Sequence, residues 1–154
     1  MRKNIVSIIS VILILFLIQF ISCSNNSTGP NTTVYKKLWE RASTSGYIME
    51  QTLQCFCPNG GRQAKLIFYN NDQIVYAIYT DTNEEISENQ ISRYKSIDEL
   101  FEFIDDMKKR NPYKLEVEFD SDFGYPTRIY VDQEKMMVDE EFGIITTVSI
   151  MGKD

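Results

Sequence analysis

Apolar and polar positions divide the chain into a mostly apolar leader and an alternating remainder. Ile5 to Ile21 is apolar except for Ser7, Ser10 and Gln19, with no interruption from Val11 to Ile18. Ser24 to Asn31 is polar and contains Gly29-Pro30, the composition of a flexible tether. Periodicity then sets in. Val34, Tyr35, Leu38, Trp39 and Ala42 share one helical face, which predicts a helix over Thr33–Ser45 capped by Thr33. Gly46 stands where a left-handed C-terminal cap is wanted.

Strand patterns follow. Tyr47, Met49, Gln51, Leu53, Cys55 and Cys57 alternate onto one face of a strand, which ends at Pro58-Asn59-Gly60-Gly61. Ala64–Tyr69 and Gln73–Tyr79 form a hairpin around Asn70-Asn71-Asp72. Thr80–Lys95 is polar and acidic, a loop with a short element near Ile91. Ser96 to Arg110 carries a Ser96/Glu99 capping box and an apolar stripe of Ile97, Leu100, Phe101, Ile104 and Met107. Asp98 and Glu99 lie at its positive end and Lys108, Lys109 and Arg110 at its negative end, before Asn111-Pro112 stops it. Tyr113–Phe119 alternates strictly, with Leu115, Val117 and Phe119 on one face and Lys114, Glu116 and Glu118 on the other. Pro126–Val131 and Ile144–Met151 are the last strands, separated by the acidic Gln133–Phe142.

A half-wet alternating strand favours antiparallel pairing, and segregated helices favour α+β. The expected fold is therefore α+β: a mostly antiparallel sheet of five to six strands with two helices packed on one face. Residues 33–154 form a single domain in this reading. The order helix, three strands, helix, three strands is that of a duplication, although the halves share little else. Ile67, Tyr69, Val75, Tyr79 and Tyr130 are expected on the face away from the helices. They form either an exposed protein- or ligand-binding surface or a second packed layer under the acidic loop.

The leader resembles a bacterial lipoprotein signal peptide. Arg2 and Lys3 give it a positive start, and Phe20-Ile21-Ser22-Cys23 resembles a lipobox, with Phe20 standing where Leu is usual. The alternatives are an uncleaved anchor, for which the apolar run is short, and plain secretion. The resemblance implies that residues 1–22 are removed, that Cys23 is lipidated, and that 23–32 tether the domain to a membrane outside the cytoplasm, periplasmic or surface-facing. Two acyl chains anchor stably, at about 0.8 kcal/mol per buried CH₂.

Residues 1–22 carry two of the 16 basic residues and none of the 22 acidic ones, which leaves 132 residues with a net charge of −8. An acidic chain without a basic cluster argues against nucleic acid as a partner and against a polybasic lipid-binding surface, so no nucleic acid is expected. The absence of histidine excludes Ser-His-Asp and Cys-His catalysis and histidine-bearing zinc sites. No cofactor or metal site is expected.

With Cys23 taken by lipid, two thiols of the three remain, Cys55 and Cys57. Outside the cytoplasm an even pair most often oxidises. In a regular strand their Cα atoms would lie about 6.6 Å apart, near the upper limit for a disulfide, and a bend at Pro58 would shorten the span. A structural bridge, a thiol-exchange pair, a Cu(I) site and free thiols all remain open. Asp120-Ser121-Asp122-Phe123-Gly124 opens like a calcium loop but lacks its later ligands; a hairpin turn with Asp side chains bonded to local N–H groups and Gly124 at positive φ is expected instead. Asp139-Glu140-Glu141 could form a hydrolytic carboxylate pair with Asp120 or Asp122, or remain solvated charge.

These residues resemble a family of small exported bacterial domains, many of them lipid-anchored, catalogued as domain of unknown function 6174. The stations are Trp39 and Tyr47, Cys55-Phe56-Cys57-Pro58, Leu100-Phe101, Phe119-Asp120, Gly124-Tyr125-Pro126-Thr127, Ile129, Asp132 and Asp139-Glu140-Glu141. Phe119 stands where that family often has Tyr. The resemblance implies a secreted α+β domain and supplies no activity or catalytic residue. The expected function is a non-enzymatic envelope module that binds an envelope protein or small ligand; the alternative is a thiol redox or copper-handling protein using Cys55 and Cys57. Radiolabelled palmitate is predicted to enter the protein, and Cys23→Ser to abolish the label.

Overall fold

The computed structural model describes residues 31–42, 45–55, 61–69, 73–136 and 140–151. The expected signal segment, Cys23 and the tether up to residue 30 lie outside the described residues, as do Cys57 and Asp139. Among the described residues, three helices and six strands follow in the order α1 (Thr32–Ala42), β1 (Gly46–Cys55), β2 (Gln63–Tyr69), β3 (Gln73–Tyr79), α2 (Glu88–Ile91), α3 (Ile97–Arg110), β4 (Lys114–Phe119), β5 (Pro126–Asp132) and β6 (Phe142–Ile150). The strands form one antiparallel sheet ordered β3-β2-β1-β6-β5-β4. This is the expected α+β class with six strands.

Each half forms a meander of the same internal order, β3-β2-β1 and β6-β5-β4. The first meander runs from the centre outward and the second from the edge inward. β1 is central and β4, its counterpart in a repeat, is an edge strand.

One face of the sheet carries the core. Tyr47, Met49 and Gln51 of β1, Ala64, Leu66 and Phe68 of β2, Ile129 and Val131 of β5, and Ile144 and Thr146 of β6 are buried there. The stripe of α3 packs on them with Ile97, Leu100, Phe101, Ile104 and Met107 all buried. Each such side chain contributes about 1.5–3 kcal/mol by leaving water. The capping box forms as expected: the Glu99 N–H donates to Ser96 Oγ and the Ser96 N–H to Glu99 Oε2. Asn111 ends α3 in the left-handed region at φ 53°. The short helix expected near Ile91 is α2.

α1 begins one residue before its expected start, at Thr32, so Thr32 belongs to the helix and not to the tether. The Thr32 hydroxyl donates to Asp105 Oδ1 at 2.9 Å and accepts from Lys108 Nζ at 3.0 Å, which ties the start of α1 to the last turns of α3. Tyr35 stacks on Phe119 with centroids 4.0 Å apart, and Trp39 meets Tyr47 edge-on at 5.2 Å. Val34 falls outside this packed stripe and is exposed.

Gly46 is not a left-handed cap. It opens β1 opposite Tyr69, and a Cβ there would stand 2.6 Å from the Phe68 carbonyl oxygen. Close approach of neighbouring strands, not positive φ, explains the glycine.

Gln51 is fully buried on the central strand and reaches the chain before α3. Its Oε1 accepts from the Lys95 N–H at 3.0 Å and its Nε2 donates to the Lys95 carbonyl at 3.1 Å. Two residues on, the Ile97 N–H donates to the Tyr47 hydroxyl at 3.2 Å. Gln51→Leu would leave two backbone groups of Lys95 without these partners. The variant is predicted to lose about 1–3 kcal/mol in urea unfolding at an unchanged m-value.

Candidate functional site

The face of the sheet opposite the helices is covered by no element among the described residues. The pairing register lays Tyr76, Ile67, Ile48 and Ser149 across it in one row and Ile78, Lys65, Glu50 and Thr147 in the next. On β2 and β3, Tyr69 is 48% exposed, Val75 59% and Tyr76 46%. Toward the other edge the face is charged: Arg128 pairs with Glu118 at 3.3 Å and Lys114 with Glu116 at 2.9 Å.

Of the five residues expected on this face, Ile67, Tyr69 and Tyr130 lie on it, and Val75 projects from the β3 edge. Tyr79 does not. A β-bulge places Ile74 opposite Phe68 and Tyr76 opposite Ile67, with Val75 as the additional residue. The bulge breaks the two-residue period, so Ala77 and Tyr79 turn inward. Tyr79 lies buried beneath the Arg62 guanidinium, 3.5 Å from its ring centroid, and its hydroxyl donates to Gln90. Arg62 also grips Asp81 through two hydrogen bonds of 2.8 and 3.2 Å, which holds the Asp81 carboxyl below its usual value.

The acidic loop does not cover the open face. Ile86 and Tyr94 are buried in the helix-side core. Glu84 to Ile86 runs along the second half of β3, with Tyr79 N–H donating to the Glu84 carbonyl and Ile86 N–H to the Ala77 carbonyl. No such contact covers Gln73–Tyr76 among the described residues.

A second feature lies at the Cys55 end of the same face. Gln54, Gly143 and Tyr130 stand side by side across β1, β6 and β5. With Cys55, Glu141 and Phe142 they line a concavity of about 300 Å³. Tyr130 bonds to Glu141, which holds its phenol above the ordinary tyrosine value; desolvation adds to this, as does the negative charge of Glu141, Asp132 and Glu116. Cys55 ends β1 opposite Phe142 and is half-buried.

The turn after β4 is the expected Asp turn. Asp120 Oδ1 accepts from the N–H groups of Asp122 at 3.0 Å and Phe123 at 2.7 Å, and Gly124 has φ 79°. A Cβ on Gly124 would collide with the Tyr35 carbonyl oxygen of α1. Tyr125 faces Trp39 at 6.2 Å and Pro126 is fully buried at the start of β5. Gly124 and Tyr125 therefore seat α1. Asp120 and Asp122 do not meet Glu141: β5 separates them by roughly 17 Å of strand. A glycosidase pair needs no more than about 9.5 Å. Among the described residues no three Asp, Glu or Cys side chains are grouped to hold a metal ion.

The Tyr130 phenol is predicted to titrate above the usual tyrosine value of about 10 in ultraviolet difference spectra, and Glu141→Gln to lower its midpoint. A raised folded-state value means that any stability it adds is complete below the unfolded value and is lost as pH climbs past the folded one.

No curated protein and no solved structure matches the chain. A family model described as a family of unknown function (DUF6174) matches residues 31–150, from the start of α1 to the end of β6. The stretch takes in every strand and helix described above, and the chain belongs to this family, whose activity is unknown.

Proposed function

We propose that this protein is a lipid-anchored, non-enzymatic module of the bacterial cell envelope that binds a protein partner through the open face of β3, β2 and β1. The observation that carries this reading is the exposure of Tyr69 and Tyr76 on a face that no described element covers, with Val75 exposed at its β3 edge. Contiguous exposed apolar surface marks interaction sites. The two sheet edges support it by contrast. β4 alternates Lys and Glu with apolar residues, a pattern that discourages edge pairing, whereas β3 (Gln-Ile-Val-Tyr-Ala-Ile-Tyr) carries no charge.

The position of the tether fits the same reading. The chain enters the domain at α1, on the helix side, where Tyr35 stacks on Phe119 at the β4 edge. A lipid on Cys23 would hold that side toward the membrane, within about 28 Å for eight extended residues. The bare face at β3 would then point away from the bilayer and toward a protein partner.

A Cys55–Cys57 disulfide belongs to this proposal. Cys55 is engaged rather than free, and Cys57 follows two residues later. The bridge is structural in this reading and should have a reduction potential below about −300 mV; a value near −200 mV would favour the thiol-exchange alternative.

The partner is tested by a photo-crosslinking residue at position 75 of the full-length protein in intact cells. One discrete adduct is expected, lost with Tyr76→Asp, and none from the same probe at Tyr113, which is exposed far from β3. No adduct at position 75 would overturn the proposal.

A further inference from the structure

We propose that the concavity between Gln54, Tyr130 and Glu141 is a binding site for a small organic ammonium ligand. It lies about 20 Å along the strands from the Tyr76 row, six residues of β1 away, and is independent of the partner surface.

Glycine builds the cavity. Gly143 stands between Gln54 and Tyr130, and a Cβ there would lie 2.8 Å from Gln54 Oε1, so any side chain would displace the amide. The volume of about 300 Å³ is at the lower end of small-molecule sites. The Tyr130 ring supplies an apolar wall, while the Gln54 amide and the Glu141 carboxylate supply polar groups.

The local charge selects a cation. Glu141, Asp132 and Glu116 all act on Tyr130. Lys114 and Arg128 flank its ring at 5.3 and 5.9 Å, but each is paired, Lys114 with Glu116 and Arg128 with Glu118. Among the described residues neither Glu141 nor Asp132 has an ion-pair partner. Asp132 is only 8% exposed, and its Oδ1 has no hydrogen-bond partner. It follows Tyr130 by two residues and so lies on the same side of β5. Asp132 stands outside the lining of the concavity and adds to the negative potential at Tyr130.

Among the described residues no three carboxylates are grouped to hold a metal ion. An ammonium group suits them better: it carries three donors, and the Tyr130 face attracts it as a cation–π partner. The mature net charge of −8 draws cations to the surface.

The test uses full-length protein and two probes of one shape, benzylamine and benzyl alcohol, followed through the amide NMR signals of Tyr130 and Gly143. Benzylamine should shift both signals saturably and bind at least ten-fold tighter than the alcohol. Glu141→Gln should weaken benzylamine about ten-fold and leave the alcohol unchanged, while Val75→Glu should change neither. Equal affinities for the two probes, or no shift at Gly143, would overturn the site. The wild-type comparison stands even if the Glu141 variant misfolds, and loss of the β3 crosslink would not affect it.

Discussion

The seating of α3 on β1 is the constraint on which the molecule depends. Gln51 holds the backbone of Lys95, and the Tyr47 hydroxyl holds the first N–H of α3 two residues later. These bonds fix where the helix begins, and its five apolar residues then fall onto the sheet. Six strands span about 24 Å, and two helices of about 10 Å each, side by side, nearly fill that width. With α1 tied to α3 through Thr32, the helix layer is complete on one face. No long helix remains among the described residues to cover the other. The bare face follows from the number of elements as much as from the residues on it.

Local chemistry was legible in the chain. The capping box of α3, the alternation of β4 and the Asp120 turn each depend on residues within a few positions of one another, and all three appear as read. Features set by distant neighbours were not. Gly46 looks like a helix cap in sequence but is required by the Phe68 carbonyl across the strand pair. Tyr79 reads as outward by strict alternation and points inward because the bulge at Val75 resets the count. Gln51 was legible as inward, but its partner at Lys95 was not, since 44 residues separate them.

The candidate sites divide in the same way. Tyr69 was recognisable as a sheet-face residue, whereas the bulge moved Val75 to the β3 edge and put Tyr76 on the face instead. The Gln54-Gly143-Tyr130 row has no sequence signature at all, because it exists only where β1 pairs with β6 and β6 with β5. Conversely, one distinctive motif, Gly124-Tyr125-Pro126, is architectural: the glycine makes room for α1, the tyrosine ring faces Trp39, and the proline is buried at the start of β5.

The central claim, that the domain presents a bare sheet face to a protein partner, is tested most directly by hydroxyl-radical footprinting of the tyrosines in purified protein and in intact envelopes. Tyr69, Tyr76 and Tyr113 should be oxidised in the purified protein, while the buried Tyr47, Tyr79, Tyr94 and Tyr125 should not. In the envelope Tyr69 and Tyr76 should become protected while Tyr113 stays reactive. Equal oxidation of Tyr69 and Tyr76 in both settings would contradict the account.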